Sequence, residues 1–193
     1  MKIQHKIISV FLILLLLCIP QVSCQDYTGK IYPADNNSYF ECLLPKIKGA
    51  KKSIYIIMYS AKYYPNYPDS PGNTILNELI NARKRGVKIE VIFNRSDQKI
   101  APDLSKENMN TGAYLAKGGI PVYFDSEKKT THAKLVVIDR KFVVIGSANW
   151  TYYAFTNNNE VSVIIESEKL AEHYIKYFET VKKECSLLLK PAK

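Results

Sequence analysis

The sequence predicts an α/β protein with a mixed, mostly parallel sheet flanked by helices on both faces. Three observations point there. Apolar runs of strand length alternate along the chain with segments of helical periodicity. Those runs are apolar on both faces, so the sheet they form must be covered on each side. Residues 53–93 also make a complete strand–helix–strand unit, which is the connection parallel strands require. At 193 residues, 47% hydrophobic and 23% charged, the chain suits one domain and excludes wholesale disorder and collagen-like or mucin-like classes. Four cysteines without a C-x-x-C pair exclude a disulfide mini-scaffold and give no sign of structural zinc. A formal charge of +9 implies an anionic partner, either nucleic acid or an acidic membrane surface.

At the N-terminus Lys2 and Lys6 precede an apolar run over residues 7–19, which Pro20 breaks. Ser23 and Cys24 then lead into the polar Gln25 and Asp26. This is the layout of an export signal, and its core is shorter than the roughly 20 residues of a membrane span. Residues 1–24 are therefore read as a signal peptide, with an N-terminal anchor as the alternative. Residues 25–193 are read as one catalytic domain that is periplasmic, secreted or held at a membrane. In an exported chain Cys42 and Cys185 either pair, tying the first helix to the last, or remain two separate thiols.

In that domain, residues 27–32 read as a short strand ended by Pro33 and turn-prone residues 34–37. A helix starts near Ser38, with Leu43, Leu44, Ile47 and Ala50 on one face and Pro45 confining or bending it. Residues 53–59 (SIYIIMY) are a buried strand by their β-branched and aromatic content. Residues 62–73 form a loop rich in proline and tyrosine, long enough to rim a site. An amphipathic helix over 74–85 closes on Gly86, and residues 87–93 are the next strand. A helix over 112–117 and strands over 120–124, 133–138 and 142–145 follow, the last two joined at Asp139, Arg140 and Lys141. Residues 161–165 are the last strand, and 168–185 a long terminal helix. No internal repeat is present.

The chemistry lies between residues 132 and 160. Strand periodicity puts His132 and Lys134 on one face, and Ser147 and Asn149 are likewise two apart at the end of the following run. A two-residue loop at 139–140 or 140–141 sets even positions on one strand against odd positions on the other. Both choices bring His132, Lys134, Ser147 and Asn149 to one face at the open end of the hairpin. An imidazole, a cation, a hydroxyl and an amide in one place suit a phosphodiester. The imidazole attacks phosphorus while the donors hold the non-bridging oxygens.

His132, Lys134, Asp139, Gly146, Ser147 and Asn149, spaced H-x-K-x4-D-x6-G-S-x-N, resemble the HKD motif of the phospholipase D superfamily. The resemblance extends over roughly residues 30–184. Residues 51–54 (KKSI) leading to Tyr59 and Ser60 resemble the family's first core strand. Residues 85–88 (RGVK) and 118–122 (GGIPV) resemble its later helix-to-strand junctions, and Glu160 matches its acidic position downstream of the motif. Asn94 stands where many relatives carry Asp, and the 62–73 loop is longer than in compact members.

The resemblance implies a phospholipase D-like fold and a phosphohistidine formed on His132. It also implies that Lys134 and Asn149 bind the phosphate, Ser147 donates a supporting hydrogen bond, and Glu160 accepts from the His132 ring. Asp139 belongs to the motif, but turn chemistry alone explains an Asp at a hairpin, too far along the strand to reach His132. The family's mechanism uses two such motifs and this chain has one. Its other histidine beyond residue 24, His173, lacks a lysine two positions on and reads as a surface or packing residue. A C2 homodimer that pools one His132 from each copy completes the site.

Beyond residue 24, two histidines and two distant cysteines supply no metal cluster, so the expected hydrolysis is metal-independent and needs no cofactor. The expected substrate is DNA or RNA, cut by an exported endonuclease. That expectation rests on the charge, basic spots at Lys51 and Lys52, Arg83 to Arg85 and Lys128 and Lys129, and the stacking surfaces of Tyr63, Tyr64 and Tyr67. The alternative is a phospholipase D acting on phosphatidylcholine or cardiolipin at a membrane surface.

Overall fold

The computed structural model describes residues 24–95, 102–126 and 128–189. The predicted signal peptide, up to residue 23, lies outside them. Eight strands form one sheet: β1 (Lys30–Pro33), β2 (Ser53–Met58), β3 (Lys88–Phe93), β4 (Val122–Phe124), β5 (Lys134–Ile138), β6 (Phe142–Gly146), β7 (Ser162–Glu166) and β8 (Ser186–Leu189). Among the described residues five helices accompany them: α1 (Ser38–Gly49), α2 (Pro71–Lys84), α3 (Pro102–Lys117), α4 (Tyr152–Thr156) and α5 (Glu168–Lys182). The sheet order is β1-β7-β6-β5-β2-β3-β4-β8.

The sheet is mixed, as expected, but it is not mostly parallel. Parallel pairing is confined to β2 with β3 and β3 with β4, while the other five neighbouring pairs are antiparallel. The cause is connection length. Among strands that are neighbours in both chain and sheet, only β2, β3 and β4 are joined by helices long enough to cross back over the sheet, whereas the tight 139–141 turn forces β6 back along β5.

Both faces are covered, which is what the doubly apolar strands require. Ile54, Ile56, Met58, Val91, Phe93, Val136 and Ile138 pack against Leu43 and Ile47 of α1, Ile75 and Leu79 of α2, and Leu115 of α3. On the opposite face Tyr55, Ile57, Ile92, Leu135, Val137 and Val143 meet Ala171, Ile175 and Phe178 of α5. Each such side chain, fully buried, contributes about 1.5–3 kcal/mol. Cys42 packs on the first layer and Cys185 on the second, with the sheet between them, and both thiols are free. The expected alternative of a Cys42–Cys185 disulfide is therefore overturned, since a bridge needs adjacent Cα atoms.

Several element boundaries differ from those the sequence predicts. Strand β1 starts three residues later than residue 27, and α2 starts at Pro71 under a Ser70 N-cap. Helix α3 runs from Pro102 rather than from Gly112, the terminal helix stops at Lys182 rather than at Cys185, and the last four described residues form β8, beyond every element the sequence predicts. Gly86, with φ of +94°, closes the α2 turn as its C-cap role demands.

The β5–β6 register also differs. Asp139 and Arg140 take left-handed φ values of 55° and 58°, and the Lys141 N–H bonds Ile138 O at 3.0 Å, as in a two-residue turn. The ladder, however, opposes Ile138 to Phe142 and Leu135 to Ile145. Lys141 thus adds a residue to the connection, and even positions face even ones. The predicted parity by which Ser147 and Asn149 would share a face with His132 does not hold.

Candidate active site

What brings these residues together is the end of the sheet rather than one of its faces. The site lies at the carboxyl ends of the parallel strands, the usual place for ligands in open α/β sheets. Tyr59 follows β2, Asn94 follows β3 and Asp125 follows β4. His132 and Lys134 enter β5 at that end, where Lys134 pairs with Met58. Strand β6 stops there at Gly146, and Glu160 precedes β7 there.

His132 is exposed and borders a pocket of about 130 Å³. Its ring lies 4.3 Å from that of Tyr59, centroid to centroid. The Lys134 ammonium is 3.3 Å from each His132 ring nitrogen, donates to the His132 carbonyl at 2.9 Å, and sits 4.8 Å from the Tyr59 ring centroid. Burial lowers the Lys134 pKa below the ordinary lysine value, an effect that the nearby Glu160 carboxylate partly offsets.

Buried Glu160 is held on every side. Its N–H donates to Asn36 Oδ1 at 2.7 Å, its Oε1 accepts from Asn158 Nδ2 at 3.0 Å, and its Oε2 takes a short hydrogen bond from the Ser147 hydroxyl. The Ser147 Oγ in turn accepts the Val161 N–H at 3.1 Å. The single proton of Ser147 is thus engaged by Glu160 rather than directed at a ligand. Both Glu160 oxygens bond residues other than His132, so the expected Glu160–imidazole bond is not the one formed. Gly146 makes this arrangement possible, because a Cβ there would stand 2.1 Å from Ser162 Oγ and 2.5 Å from Val161 O. Next to it, Asn149 keeps a buried Oδ1 that has no partner among the described residues. The adjoining Trp150 N–H bonds Ser60 O at 2.9 Å and fixes this segment to the end of β2.

Asp139 is not in this group. It lies at the other end of β5, where both carboxylate oxygens accept the Lys51 N–H, at 3.1 and 2.9 Å. Its Oδ1 also accepts the N–H groups of Lys52, at 2.7 Å, and Ser53, at 3.0 Å. Counting it with the catalytic residues is corrected by that distance, and its turn chemistry is what the structure uses. His173 bonds Tyr27 through Nδ1 at 2.9 Å and packs on its ring, as a surface residue should.

Sequence reasoning missed the supports beneath His132. Asn94 and Asp125 both accept the Thr131 N–H, at 3.0 and 2.9 Å, which fixes the residue before the imidazole. Asn94 stood out in the sequence only as a departure from the family's usual Asp. Asn108 is fully buried, accepts from the Ala61 N–H at 2.9 Å, and donates to the carbonyls of Tyr59 and Asn94, each at 2.8 Å. It ties the ends of β2 and β3 together. The signal for Tyr59 was available, since it adjoins the Met58 that faces Lys134.

Two of the three basic spots lie away from His132, whereas Lys129 of the third lines the pocket that His132 borders. Lys51 and Lys52 flank Asp139, Arg83 donates to Gly119 O at 3.0 Å, and Arg85 pairs with Glu78 and donates to the Ile47 and Lys48 carbonyls. Lys129 pairs with Glu184 at 3.2 Å. They do not form one continuous surface at the site.

Against known proteins, residues 43–182 match the family described as cardiolipin synthase, PLD-like domain. The chain belongs to the phospholipase D superfamily. Among curated relatives, it is 29% identical over 157 residues to a phospholipase D of Rickettsia typhi, covering 81% of this chain and 68% of that protein. It is 32% identical over 133 residues to the phospholipase D of Rickettsia prowazekii, covering 69% of this chain and 57% of that one. The chain thus spans about two thirds of the first relative and less than two thirds of the second. Among solved structures, Nuc of Salmonella typhimurium, a phospholipase D family member, superposes with a TM-score of 0.66 at 26% identity, over 84% of this chain and 98% of that one. NucT of Helicobacter pylori gives 0.63 at 21%, over 84% of this chain and all of the other, which bears on the fold alone. This phospholipase D-superfamily chain is a hydrolase of the phosphodiesterase type, with the single open sheet of its structural relatives.

Proposed function

We propose that the chain is a metal-independent phosphodiesterase in which His132 forms a phosphohistidine, and that it acts as an exported endonuclease on DNA or RNA. The observation that carries the reaction is the exposed His132 imidazole with the Lys134 ammonium 3.3 Å away. The neutral imidazole attacks phosphorus, and the alkoxide leaving group departs with a proton from a general acid. Water, giving a proton to the group that protonated the alkoxide, then attacks phosphorus, breaks the P–N bond, releases the phosphoryl product and restores the imidazole. Lys134 and the Asn149 amide hold the non-bridging oxygens as negative charge builds. Ser147 orients Glu160, and the Glu160 carboxylate balances the positive charge that His132 and Lys134 carry together in the transition state.

The general acid is the missing piece within one chain. A C2 homodimer that brings the partner subunit's His132 across the axis supplies it, one imidazole attacking and the other protonating. Nucleic acid as substrate is supported by the formal charge of +9 and by the exposed tyrosines beyond the site. Headgroup hydrolysis of phosphatidylcholine or cardiolipin is the second reading, favoured by the phospholipase D name of the rickettsial relatives.

The test uses purified residues 25–193 in excess EDTA, with plasmid DNA compared against phosphatidylcholine and cardiolipin vesicles. DNA cleavage that falls steeply with salt is expected, as counterion release dictates. Turnover confined to lipid contradicts the substrate, and complete loss in EDTA contradicts the mechanism.

A further inference from the structure

A groove of about 890 Å³ opens beside the site. One wall is the loop from Lys62 to Pro71, the other Thr151, Tyr152 and Tyr153 at the start of α4. Both walls continue directly from the ends of the site strands. The first follows Tyr59, which contacts His132, and the second follows Asn149 by two residues. The Lys62 N–H bonds Trp150 O at 3.0 Å, and the Tyr152 N–H bonds the Tyr64 hydroxyl at 3.0 Å, so the walls are fastened to each other. Tyr67 and Tyr153 stand on the rim, 68% and 66% exposed. Glu107, ion-paired to Lys62, and Asp69 also line the groove.

We infer that this groove is a nucleobase subsite, taking an unpaired base of the nucleotide next to the scissile phosphate, with Tyr67 and Tyr153 as stacking faces. The inference rests on the phosphodiesterase reading and fixes its substrate as single-stranded nucleic acid. The lining chooses among the parts of an anionic phosphodiester. A phosphate would meet the carboxylates of Glu107 and Asp69, a like-charge contact. An acyl chain would strip water from Asp69 and from the Lys62–Glu107 pair without replacing it by hydrogen bonds. A base satisfies both features: its faces stack on tyrosine, and its exocyclic amino and ring N–H groups donate to carboxylates. Bases within a duplex keep their faces against one another, so the occupant is unpaired. The volume lies within the usual range of small-molecule sites.

The test uses His132→Asn protein of residues 25–193, which binds without turnover, and two fluorescein-labelled probes of equal length, an oligothymidylate and its abasic counterpart. The expected result is tighter binding of the oligothymidylate, and a loss of about fivefold or more when Tyr67→Ala and Tyr153→Ala are added. Binding of the abasic probe should not change. Both tyrosines are exposed, so an unaltered circular-dichroism melt checks that the variant folds. Unchanged oligothymidylate affinity, or an equal loss on both probes, overturns the subsite. So does a tyrosine effect seen only in phosphatidylcholine vesicle turnover by the active enzyme, which assigns the groove to lipid. Turnover of bis(p-nitrophenyl) phosphate by the unsubstituted enzyme in EDTA tests the underlying phosphodiesterase reading separately.

Discussion

The two ends of β5 carry opposite kinds of polar residue. At one end the Asp139 carboxylate accepts from three successive backbone N–H groups, and its own N–H bonds Ser53 O at 2.7 Å. Its hydrogen-bonding capacity is used within the fold, where it joins the β5–β6 turn to the start of β2. At the other end His132 is exposed, Lys134 is partly desolvated, and Asn149 keeps a buried oxygen without a partner among the described residues. Ser53 Oγ, beside Asp139, is also buried without a partner among the described residues, so the contrast between the ends rests on the exposed imidazole and the ammonium beside it. One sequence motif thus contains a structural end and a chemical end, and substitutions at each should fail in different ways.

The largest expected effect is at the chemical end. His132→Asn should lower turnover by about a thousandfold or more while leaving the thermal midpoint close to that of the parent. A melt displaced as far as that of an Asp139 variant would erase the distinction between the ends. At the structural end, Asp139→Ala should cost about 2–3 kcal/mol by removing charge-assisted acceptors from backbone donors. Turnover per folded molecule should be retained. Asp139→Asn keeps one acceptor and tolerates the left-handed φ, so urea melts should place it between the two. Activity lost in proportion beyond the unfolded fraction would give Asp139 a chemical role after all.

A smaller effect concerns pH. Burial holds Lys134 below the ordinary lysine value of 10.5, with Glu160 opposing. The ammonium is the form that binds phosphate, so KM should rise as pH climbs through that lowered value, earlier than an ordinary lysine would allow. The folded state binds this proton less tightly than the unfolded chain does. The contribution of Lys134 to stability therefore increases with pH over the same window, while binding worsens. Lys134→Arg, whose charge persists, should move the alkaline limb of kcat/KM upward, and an unmoved limb would assign it to another group. The smallest effect is expected from Lys51→Ala with Lys52→Ala. These side chains lie at the structural end, so the salt slope of DNA cleavage should be nearly unchanged.

Much of this arrangement was legible in the chain. Apolar runs located β2, β3, β5, β6 and β7, and fixed spacing located His132, Lys134, Ser147, Asn149 and Glu160 at one end of the sheet. The first half of α3 was hidden because its buried face carries Ser105, Asn108 and Thr111 instead of a run of apolar residues. That same polarity is what lets Asn108 clamp the ends of β2 and β3. Strand β8 is a four-residue edge strand directly after a long amphipathic helix, so the helical period masked it. The even-to-even register was invisible because one extra turn residue, Lys141, carries no signal of its own. The site forms nonetheless, because Lys134 opens β5 and His132, Ser147, Asn149 and Glu160 lie beyond the strand ends, where register no longer separates them.

The central claim is a covalent phosphoryl adduct on His132 formed without a metal. Rapid quenching of enzyme with bis(p-nitrophenyl) phosphate in excess EDTA, followed by peptide mass spectrometry under alkaline conditions, tests it most directly. The account predicts an acid-labile phosphoryl adduct on the peptide containing His132 and none in the His132→Asn variant. Turnover that continues in that variant, or an adduct carried by a different residue, would contradict it.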